Sequence, residues 1–450
     1  MPGGIARTFL PVPRAAVPWC RGAAVLWGLQ HGGQQKWHNA RVQNLPKPSP
    51  LSDHPWSVRG RGVTPFKVVD DLVLCLKGDR QVYAGPAAEA PRDLGQVFEW
   101  DGLILPGLVD VHCHGGAGAS FPDATTPEQV MTAVSEHLHH GTTSLLASLV
   151  TDTPEVLLQR TALLAEMAAA GEIAGIHLEG PFLSAARCGA QDPGRMQVPN
   201  AALVAALAKA GNGYLATMTL APELAGTVGP GSVIEALANV GALPSFGHTD
   251  ASATQMTQAV DYAAKQLAGG LGQRGQLPTA THLFNGMRPI HHRDPGPALA
   301  CLAEAARGRM VVELIADGVH LDPVTVAKVF DLVGADHVVL ITDAMAAAGL
   351  GDGVYQLGPQ AVQVAGGVAR LVHGDSIAGG VAHLMDVVRG TVLVSGVELA
   401  AAVRSASLVP ARLLGLENEI GSLGAGLRAD FVLTDQGLSV NAVYRAGQKV

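Results

Sequence analysis

Apolar and polar positions form two alternating patterns along the middle of the chain. Apolar runs of strand length, bounded by Gly or Pro, are followed by longer Ala- and Leu-rich stretches with helical spacing. The runs predict eight buried strands: Leu108–His112, Thr143–Leu149, Ile173–His177, Tyr214–Leu220, Leu243–Phe246, Ala280–Leu283, Met310–Leu314 and Val338–Ile341. The longer stretches predict helices most clearly at Pro127–His140, Pro154–Ala170, Ala201–Ala210, Ser252–Leu267 and Pro323–Val333.

This alternation predicts an α/β fold, a TIM-like (β/α)8 barrel over residues 105–349 that is completed by helical sequence in residues 376–419. Short strand-like segments with turn signals occupy residues 55–104, 350–375 and 420–450. We expect these segments from both chain ends to form a small β-sandwich domain. In a barrel of this kind the chemistry lies at the carboxyl ends of the strands.

Residues 1–54 differ from the rest of the chain. They are rich in Pro, Gly and Arg, hold six basic residues against one acid, Asp53, and show no sustained apolar period. Their longest apolar stretch is broken by Pro18, Arg21 and Gly22, which disfavours a secretory signal. We predict a disordered N-terminal extension, either a mis-assigned start or a basic tail.

Composition narrows the class of protein. Hydrophobic residues make up 48% of the chain and charged residues 15%, which is enough to bury a large core. The net charge of −8, with no long run of like charge, disfavours nucleic acid as a partner, and no apolar run reaches the length of a membrane helix. Five scattered cysteines without a Cys-x-x-Cys pair favour a reducing compartment, and we expect a cytoplasmic protein.

Several predicted strands end in a residue that can bind a metal. His112 and His114 lie two apart at the end of the first strand, where residues i and i+2 face the same side. An isolated His-x-His is equally compatible with two ordinary histidines near a turn. The interpretation changes because further strand ends also carry such residues: Glu179, His248, His282 and Asp343.

These side chains, brought to one end of a barrel, predict a metal centre. Imidazole and carboxylate ligands suit Zn²⁺ or Fe²⁺, and also Mn²⁺ or Co²⁺, but not Ca²⁺. These residues are more than the three ligands of one open catalytic site, so the number of ions, one or two per subunit, stays undecided. If there are two ions, Glu179 bridges them. A bound cation lowers the pKa of its water toward ~7, and Asp343 is then a proton acceptor, a ligand, or both.

Other polar residues are weaker candidates. Arg293, in a loop, and His320, after the seventh strand, are predicted to bind an anion such as phosphate, with a surface charge as the alternative for Arg293. His177, two residues before Glu179, is predicted to support the ligands or to belong to the core. Three further histidines are predicted at the surface, at the opposite end of the barrel: His137, His139 and His140.

The motifs together resemble a known family. The Leu-Pro-Gly-Leu-Val-Asp segment before His112 and the closing Gly-Ser-Leu-Gly-Ala-Gly-Leu-Arg-Ala-Asp stretch resemble the amidohydrolase superfamily. More narrowly, the chain is similar to N-acetylglucosamine-6-phosphate deacetylases from about residue 58 to its end. Six motifs, in the expected order, carry this likeness: His-Leu-Glu-Gly-Pro-Phe, Gly-His-Thr-Asp-Ala, Thr-His-Leu-Phe-Asn-Gly-Met, His-His-Arg-Asp-Pro-Gly, Ala-Asp-Gly-Val-His and Thr-Asp-Ala-Met.

The resemblance implies hydrolysis of N-acetylglucosamine-6-phosphate to glucosamine-6-phosphate and acetate, in amino-sugar catabolism and cell-wall recycling. It implies Glu179, His248 and His282 as principal metal ligands, a second metal at His112 and His114, and Asp343 as general base and acid. It also implies a homodimer whose phosphate contacts cross the interface. The substrate-binding positions that it implies are Ala190, Gln191, Asn285, Gly286, Arg293, Asp317, His320, Ile377, Ala378 and Gly379.

The chain departs from this family in one functional motif. The family pattern after Gly-Pro-Phe has Lys-Gly-Ala-His, whereas this chain has Cys188-Gly-Ala-Gln191, so a hydrogen-bonding amide replaces a group that can be protonated. Cys188 is either a residue of the pocket loop or inert. Two other functions stay open: a cyclic-amide or N-acyl-amino-acid hydrolase of the same superfamily, and a metal-free relative that only binds. Glu179, where cyclic amidases have a modified Lys, disfavours the cyclic-amide alternative.

Overall fold

The computed structural model describes residues 54–269, 274–374 and 376–450. The predicted N-terminal extension lies outside the described residues except for His54. The strands are β1 Trp56–Val63, β2 Val68–Lys77, β3 Arg80–Pro86, β4 Gln96–Pro106, β5 Leu108–Cys113, β6 Gly115–Gly116, β7 Ala119–Ser120, β8 Thr142–Leu149, β9 Gly175–Glu179, β10 Leu215–Leu220, β11 Leu243–Phe246, β12 Thr279–Ala280, β13 Val311–Leu314, β14 Val338–Leu340, β15 Gly353–Leu357, β16 Gln360–Ala365, β17 Val368–Leu371, β18 Phe431–Thr434, β19 Val440–Arg445 and β20 Gln448–Lys449.

The helices are α1 Pro127–His139, α2 Pro154–Ala169, α3 Ala201–Ala210, α4 Val233–Asn239, α5 Ala253–Gly269, α6 Gly296–Ala306, α7 Pro323–Val333, α8 Leu384–Leu393, α9 Leu399–Ser405 and α10 Leu408–Leu413. Local chemistry explains several of their starts. Thr153, Asn200 and Asp322 accept backbone N–H groups at the starts of α2, α3 and α7, and Pro occupies the first turn of α2 and α7. No helix in the described ranges has both the length and the apolar content that crossing a lipid bilayer requires.

Eight parallel strands form the predicted barrel sheet, in the order β5-β8-β9-β10-β11-β12-β13-β14. The helices cover its outer surface and bury a continuous apolar core. The two ends of the sheet meet where the N–H of Asp343 donates to the carbonyl of His112 (2.9 Å) and the N–H of His114 donates to that of Ala344 (2.7 Å). The (β/α)8 prediction is confirmed, and these backbone contacts bring the first and last strand ends together.

A separate sheet joins the two ends of the described chain, as predicted. Its seven strands run in the order β20-β19-β18-β4-β1-β2-β3. The aromatic rings of Trp56, Phe431 and Tyr444 pack together in its core, with Phe431 stacked on Tyr444 at 4.4 Å. Strand β4 forms hydrogen bonds with β1 on one side and β18 on the other, so the early and late strands depend on each other.

Residues 350–375 do not join that sheet, and this part of the predicted domain is wrong. Strands β15, β16 and β17 form their own antiparallel sheet. Its buried residues, among them Val362 and Leu357, pack against Met345 and Val150 at the carboxyl end of the barrel. The alternating pattern identified the strands correctly, but a strand pattern does not specify which apolar surface the strands will cover.

Candidate active site

Glu179, the last residue of β9, meets two histidines from neighbouring strand ends. Its Oε1 lies 2.9 Å from Nε2 of His248 and 2.9 Å from Nε2 of His282, and the two Nε2 atoms are 3.1 Å apart. Atoms that each lie about 2.1 Å from one ion are separated by about 3.0 to 3.4 Å. The three groups are buried and converge with the spacing that a shared divalent cation requires.

A second group of donors adjoins the first. Nε2 of His112 and Nε2 of His114 are 3.1 Å apart, which confirms that the two rings of the His-x-His pair face the same side. Nε2 of His114 lies 3.2 Å from Oε2 of Glu179, and Oδ1 of Asp343 lies 3.3 Å from both histidines. Glu179 therefore presents Oε1 to His248 and His282 and Oε2 to His114. Nε2 of His112 lies farther away, 3.8 Å from Oε1.

The backbone takes an uncommon conformation at three of these residues. His248, His282 and Asp343 have φ values of 45°, 29° and 47°, in the left-handed region that non-glycine residues seldom adopt. Such a residue costs of order 1–3 kcal/mol and persists only where the surrounding structure holds it in place. The strained residues stand where the strands end and turn their side chains toward the shared centre.

Hydrogen bonds on the far side of the rings orient the imidazoles. Nδ1 of His112 contacts Oε2 of Glu313 at 3.1 Å, and Nδ1 of His248 contacts the carbonyl of Arg187 at 2.9 Å. Because these acceptors favour the proton on Nδ1, each Nε2 keeps its lone pair for a metal. Nδ1 of His282 is buried without a hydrogen-bond partner among the described residues.

The charges in the site favour a cation. Burial opposes ionisation of Glu179, but His248, His114 and His282 hold the pKa of its carboxyl well below the ordinary value. Burial lowers the pKa of His112 and His114, yet the neighbouring carboxylates overcome burial and raise these pKa values to about 10 and about 9. A buried site that attracts positive charge against the cost of desolvation suits a divalent metal ion.

The centre opens into a cavity of about 260 Å³. Its walls contain most of the predicted site residues together with three that were not predicted, Gly189, Leu357 and Ser376. The predicted residues that line it are His114, Glu179, Ala190, Gln191, His248, His282, Asn285, Gly286, His320, Asp343, Ile377 and Gly379.

The other predicted residues lie outside this lining. His112 is buried beneath His114, and Asp317 lies behind His320, with its Oδ2 2.8 Å from Nδ1 of that histidine. Ala378 is buried against the three-stranded sheet. Arg293 is exposed in its loop, where it contacts the ring of His292 at 2.8 Å.

Comparison with known proteins places this arrangement in a family. The model of the amidohydrolase family matches residues 103–450. The N-acetylglucosamine-6-phosphate deacetylase of Rattus norvegicus is 35% identical over 366 residues, which cover 77% of this chain and 83% of the relative. That of Bacillus subtilis (strain 168) is 33% identical over 348 residues, covering 76% and 82%. The chain belongs to the N-acetylglucosamine-6-phosphate deacetylase family of amidohydrolases.

A solved structure of this deacetylase family supports the same fold. It is the enzyme of Mycobacterium smegmatis, as a mutant in complex with N-acetyl-D-glucosamine-6-phosphate. It is 40% identical to this chain, covers 88% of it and 99% of its own length, and superimposes with a TM-score of 0.80. The likeness spans the barrel and the sheet of the chain ends, so it does not rest on the metal-binding motifs alone.

Gln191 is the residue at which the sequence analysis identified a departure from the deacetylase family pattern. Its Nε2 donates to Oε2 of Glu179 at 2.5 Å, and its Oε1 accepts the backbone N–H of Thr151 at 2.8 Å. The amide therefore holds Glu179 in place while lining the cavity. Cys188, three residues earlier, is half-buried beside the lining residue Gly189.

Sequence reasoning missed Glu313 and misplaced His137 around the deacetylase-type centre, and it left two roles open for His177. Glu313, which contacts His112, lies inside an apolar strand with no motif to mark it. His177 lies directly beneath the centre, its ring 4.3 Å from that of His112, and contacts Ser148 and Thr219. His137, predicted at the surface, is fully buried with its Nε2 2.8 Å from the carbonyl of Gly115. Its place on the apolar face of α1 was the signal that could have corrected this prediction.

Proposed function

We propose that the chain hydrolyses the N-acetyl amide of N-acetylglucosamine-6-phosphate, giving glucosamine-6-phosphate and acetate. The observation that carries this proposal is the convergence of Glu179, His248, His282 and Asp343 on the floor of one cavity. Membership of the deacetylase family supports the same reaction. The walls of the cavity offer backbone and side-chain polar groups to a sugar.

Glu179, His248 and His282 would hold the principal divalent metal, Zn²⁺ or Fe²⁺ in the first place, and His112 and His114 would hold a second ion beside it. When bound, such an ion supplies Lewis acidity, which lowers the pKa of water and polarises a carbonyl oxygen. Buried nitrogen and carboxylate donors at these distances fit this group. Gln191 supports the site by fixing the carboxylate of Glu179.

Asp343 is proposed as the residue that moves the proton. Burial raises the pKa of its carboxyl, but His112 and His114 outweigh burial and lower it, so the group is ionised at neutral pH. Its Oδ1 accepts a proton from the water that attacks the acetyl carbonyl carbon. The same atom then delivers that proton to the nitrogen as the C–N bond breaks, so the amine leaves neutral.

Positioning of the sugar phosphate is proposed to involve both subunits of a homodimer. His320, supported by Asp317, stands in the cavity wall with Asn285 and Gly286. Arg293 is exposed on its loop outside the cavity of its own chain. We propose that it reaches the phosphate in the partner subunit of a cytoplasmic enzyme.

Acetate release from N-acetylglucosamine-6-phosphate by the metal-replete protein tests the reaction. Unphosphorylated N-acetylglucosamine is the control substrate, and the Asp343→Asn variant is the control protein. We expect turnover that depends on added metal and on the phosphate and that is lost in the variant. Efficient hydrolysis of an N-acyl amino acid, with none of the sugar phosphate, would replace this proposal with another amidohydrolase activity.

A further inference from the structure

A second cluster of metal-competent side chains lies outside the cavity. Glu136 lies in the last turn of α1, His140 directly follows that helix, and His383 directly precedes α8. One donor atom from each of the three lies within 4.8 Å of the other two. None of these residues belongs to the proposed reaction.

The geometry within this Glu136–His140–His383 cluster brings imidazole nitrogens to one carboxylate. Oε1 of Glu136 lies 2.9 Å from Nε2 of His383 and 3.3 Å from Nδ1 of His140. The two rings are stacked with centroids 3.6 Å apart and planes within 8° of each other. Nδ1 of His140 also lies 2.8 Å from the carbonyl oxygen of Glu136, so an ion bound here would replace existing hydrogen bonds of the cluster.

The surroundings resemble those of a metal-binding histidine. Nδ1 of His383 lies 3.4 Å from Oδ2 of Asp386, which also accepts the backbone N–H of His383 at 3.3 Å, and Asp386 is in turn held by Arg389 at 2.6 Å. A carboxylate behind one ring nitrogen is the usual support for a histidine whose other nitrogen binds a metal. Next to the cluster, the fully buried ring of His137 lies 5.7 Å from that of His383, and its Nδ1 lacks a hydrogen-bond partner within the described residues.

We propose that Glu136, His140 and His383 bind a divalent transition-metal ion separate from the catalytic centre. Two imidazoles and one carboxylate suit Zn²⁺, and the side chain of His140, 44% exposed, leaves access from solvent. The three residues leave at least one coordination position for water.

The position of this site gives the ion a structural role. His383 follows closely after Gly379, which lines the cavity, and Gly380, whose N–H donates to the carbonyl of Asp343 at 2.6 Å. On the other side, α1 contacts the segment after His114 through His137 and the carbonyl of Gly115. An ion here would tie together the two segments that border the catalytic centre.

Zinc stoichiometry tests this site without reference to activity. The metal-stripped full chain is dialysed against buffered Zn²⁺, and bound zinc is counted by mass spectrometry for the wild type, His140→Gln and Glu136→Gln. His139→Gln is the matched control, because His139 is the exposed neighbour of His140 and its ring bonds to the carbonyl of Ser135, as the ring of His140 bonds to that of Glu136.

We expect wild type and His139→Gln to bind one zinc equivalent more than His140→Gln and Glu136→Gln, or to bind it at least about tenfold more tightly. The melting temperature should rise with this added equivalent in the first pair only. Equal zinc binding by all four proteins, or an equal loss in His139→Gln, would refute the site. Acetate release is measured separately, so failure here would leave the proposed reaction untouched.

Discussion

Asp343 combines an uncommon backbone conformation with two imidazole contacts. Its φ of 47° turns the side chain toward His112 and His114, and its N–H is held by the carbonyl of His112. Because the backbone fixes the carboxylate independently of any ion, replacing its charge should affect proton transfer more than metal binding.

Asp343→Asn should therefore reduce kcat by about 10²- to 10⁴-fold, the usual contribution of a positioned acid or base. Bound metal should remain, since Glu179, His248 and His282 are unchanged. Steady-state acetate release and elemental analysis of the same preparation measure both effects. Full activity in this variant would contradict the proton-transfer role, and parallel loss of metal would make Asp343 a ligand instead.

His320 gives the site a pH dependence. Burial lowers the pKa of its ring, but the hydrogen bond and charge of Asp317 outweigh burial and raise it above the ordinary value. The cation is thus present at lower pH and is lost as pH rises through the raised pKa, together with the stability that the pair contributes. Phosphate affinity should fall over the same range.

Asp317→Asn removes this support and should move the rise in KM for the phosphorylated substrate to lower pH. KM measured against pH for both proteins tests the shift. Since the unphosphorylated sugar carries no anion, its dissociation constant, measured by calorimetry over the same pH range, provides the control and should not follow the titration of His320. Superimposable KM profiles for wild type and variant would contradict an ionic contact between His320 and the phosphate.

At the scale of elements, strands and helices were predicted well wherever local chemistry sets their ends. Helices α3 and α7 begin and end as predicted: Asn200 and Asp322 cap their starts, and Gly211 and Gly334 follow their last residues. Strand β12 is only Thr279–Ala280, because the chain turns early to place His282 at its left-handed φ. Such turns follow from contacts with Glu179 on a distant strand, and no local pattern carries that information.

The three-stranded sheet of β15–β17 is the element whose role was least visible in the sequence. It supplies Leu357 to the cavity wall and leads into Ile377. Its buried face packs on Met345, close to Asp343. The sheet therefore shapes the cavity wall, and none of the proposed metal ligands lies on its described strands.

Val362→Ala tests whether the sheet shapes the cavity without affecting metal binding. Val362 is fully buried between the sheet and the barrel, and removing its two methyl groups should cost about 1–3 kcal/mol of stability. KM should rise as the sheet loosens, while metal content stays constant. Val354→Ala, on β15 of the same sheet but 63% exposed, is the control for which little change is expected. Metal loss in Val362→Ala without a change in KM would contradict the assignment.

On the scale of the whole molecule, the proposed metal ligands and Asp343 come from strand ends distributed around the barrel. His112 follows β4 and the chain-end sheet, whereas Asp343 follows β14 at the opposite end of the sheet order. An ion that binds only the folded chain stabilises it by mass action. The spacing of motifs predicted that these ligands converge, but their separation of about 3 Å required the closed sheet of the structure.

Removing the metal should therefore lower the melting temperature by several degrees, and adding Zn²⁺ back should restore it. Scanning calorimetry with and without a chelator measures this effect. The same measurement on the His140→Gln variant isolates the contribution of the catalytic centre to the melting temperature, since that variant lacks the additional site proposed above. An unchanged melting temperature after complete chelation would show that the barrel closes without help from an ion.

The central place of β4 in the seven-stranded sheet has a consequence for biosynthesis. A ribosome makes β1 to β4 early, but β18, which covers the other edge of β4, emerges almost last. Throughout translation of the barrel that edge stays open to pairing with any nearby extended peptide. Nascent chains stalled before Phe431 should accordingly be the form of this protein that chaperones must protect from self-association.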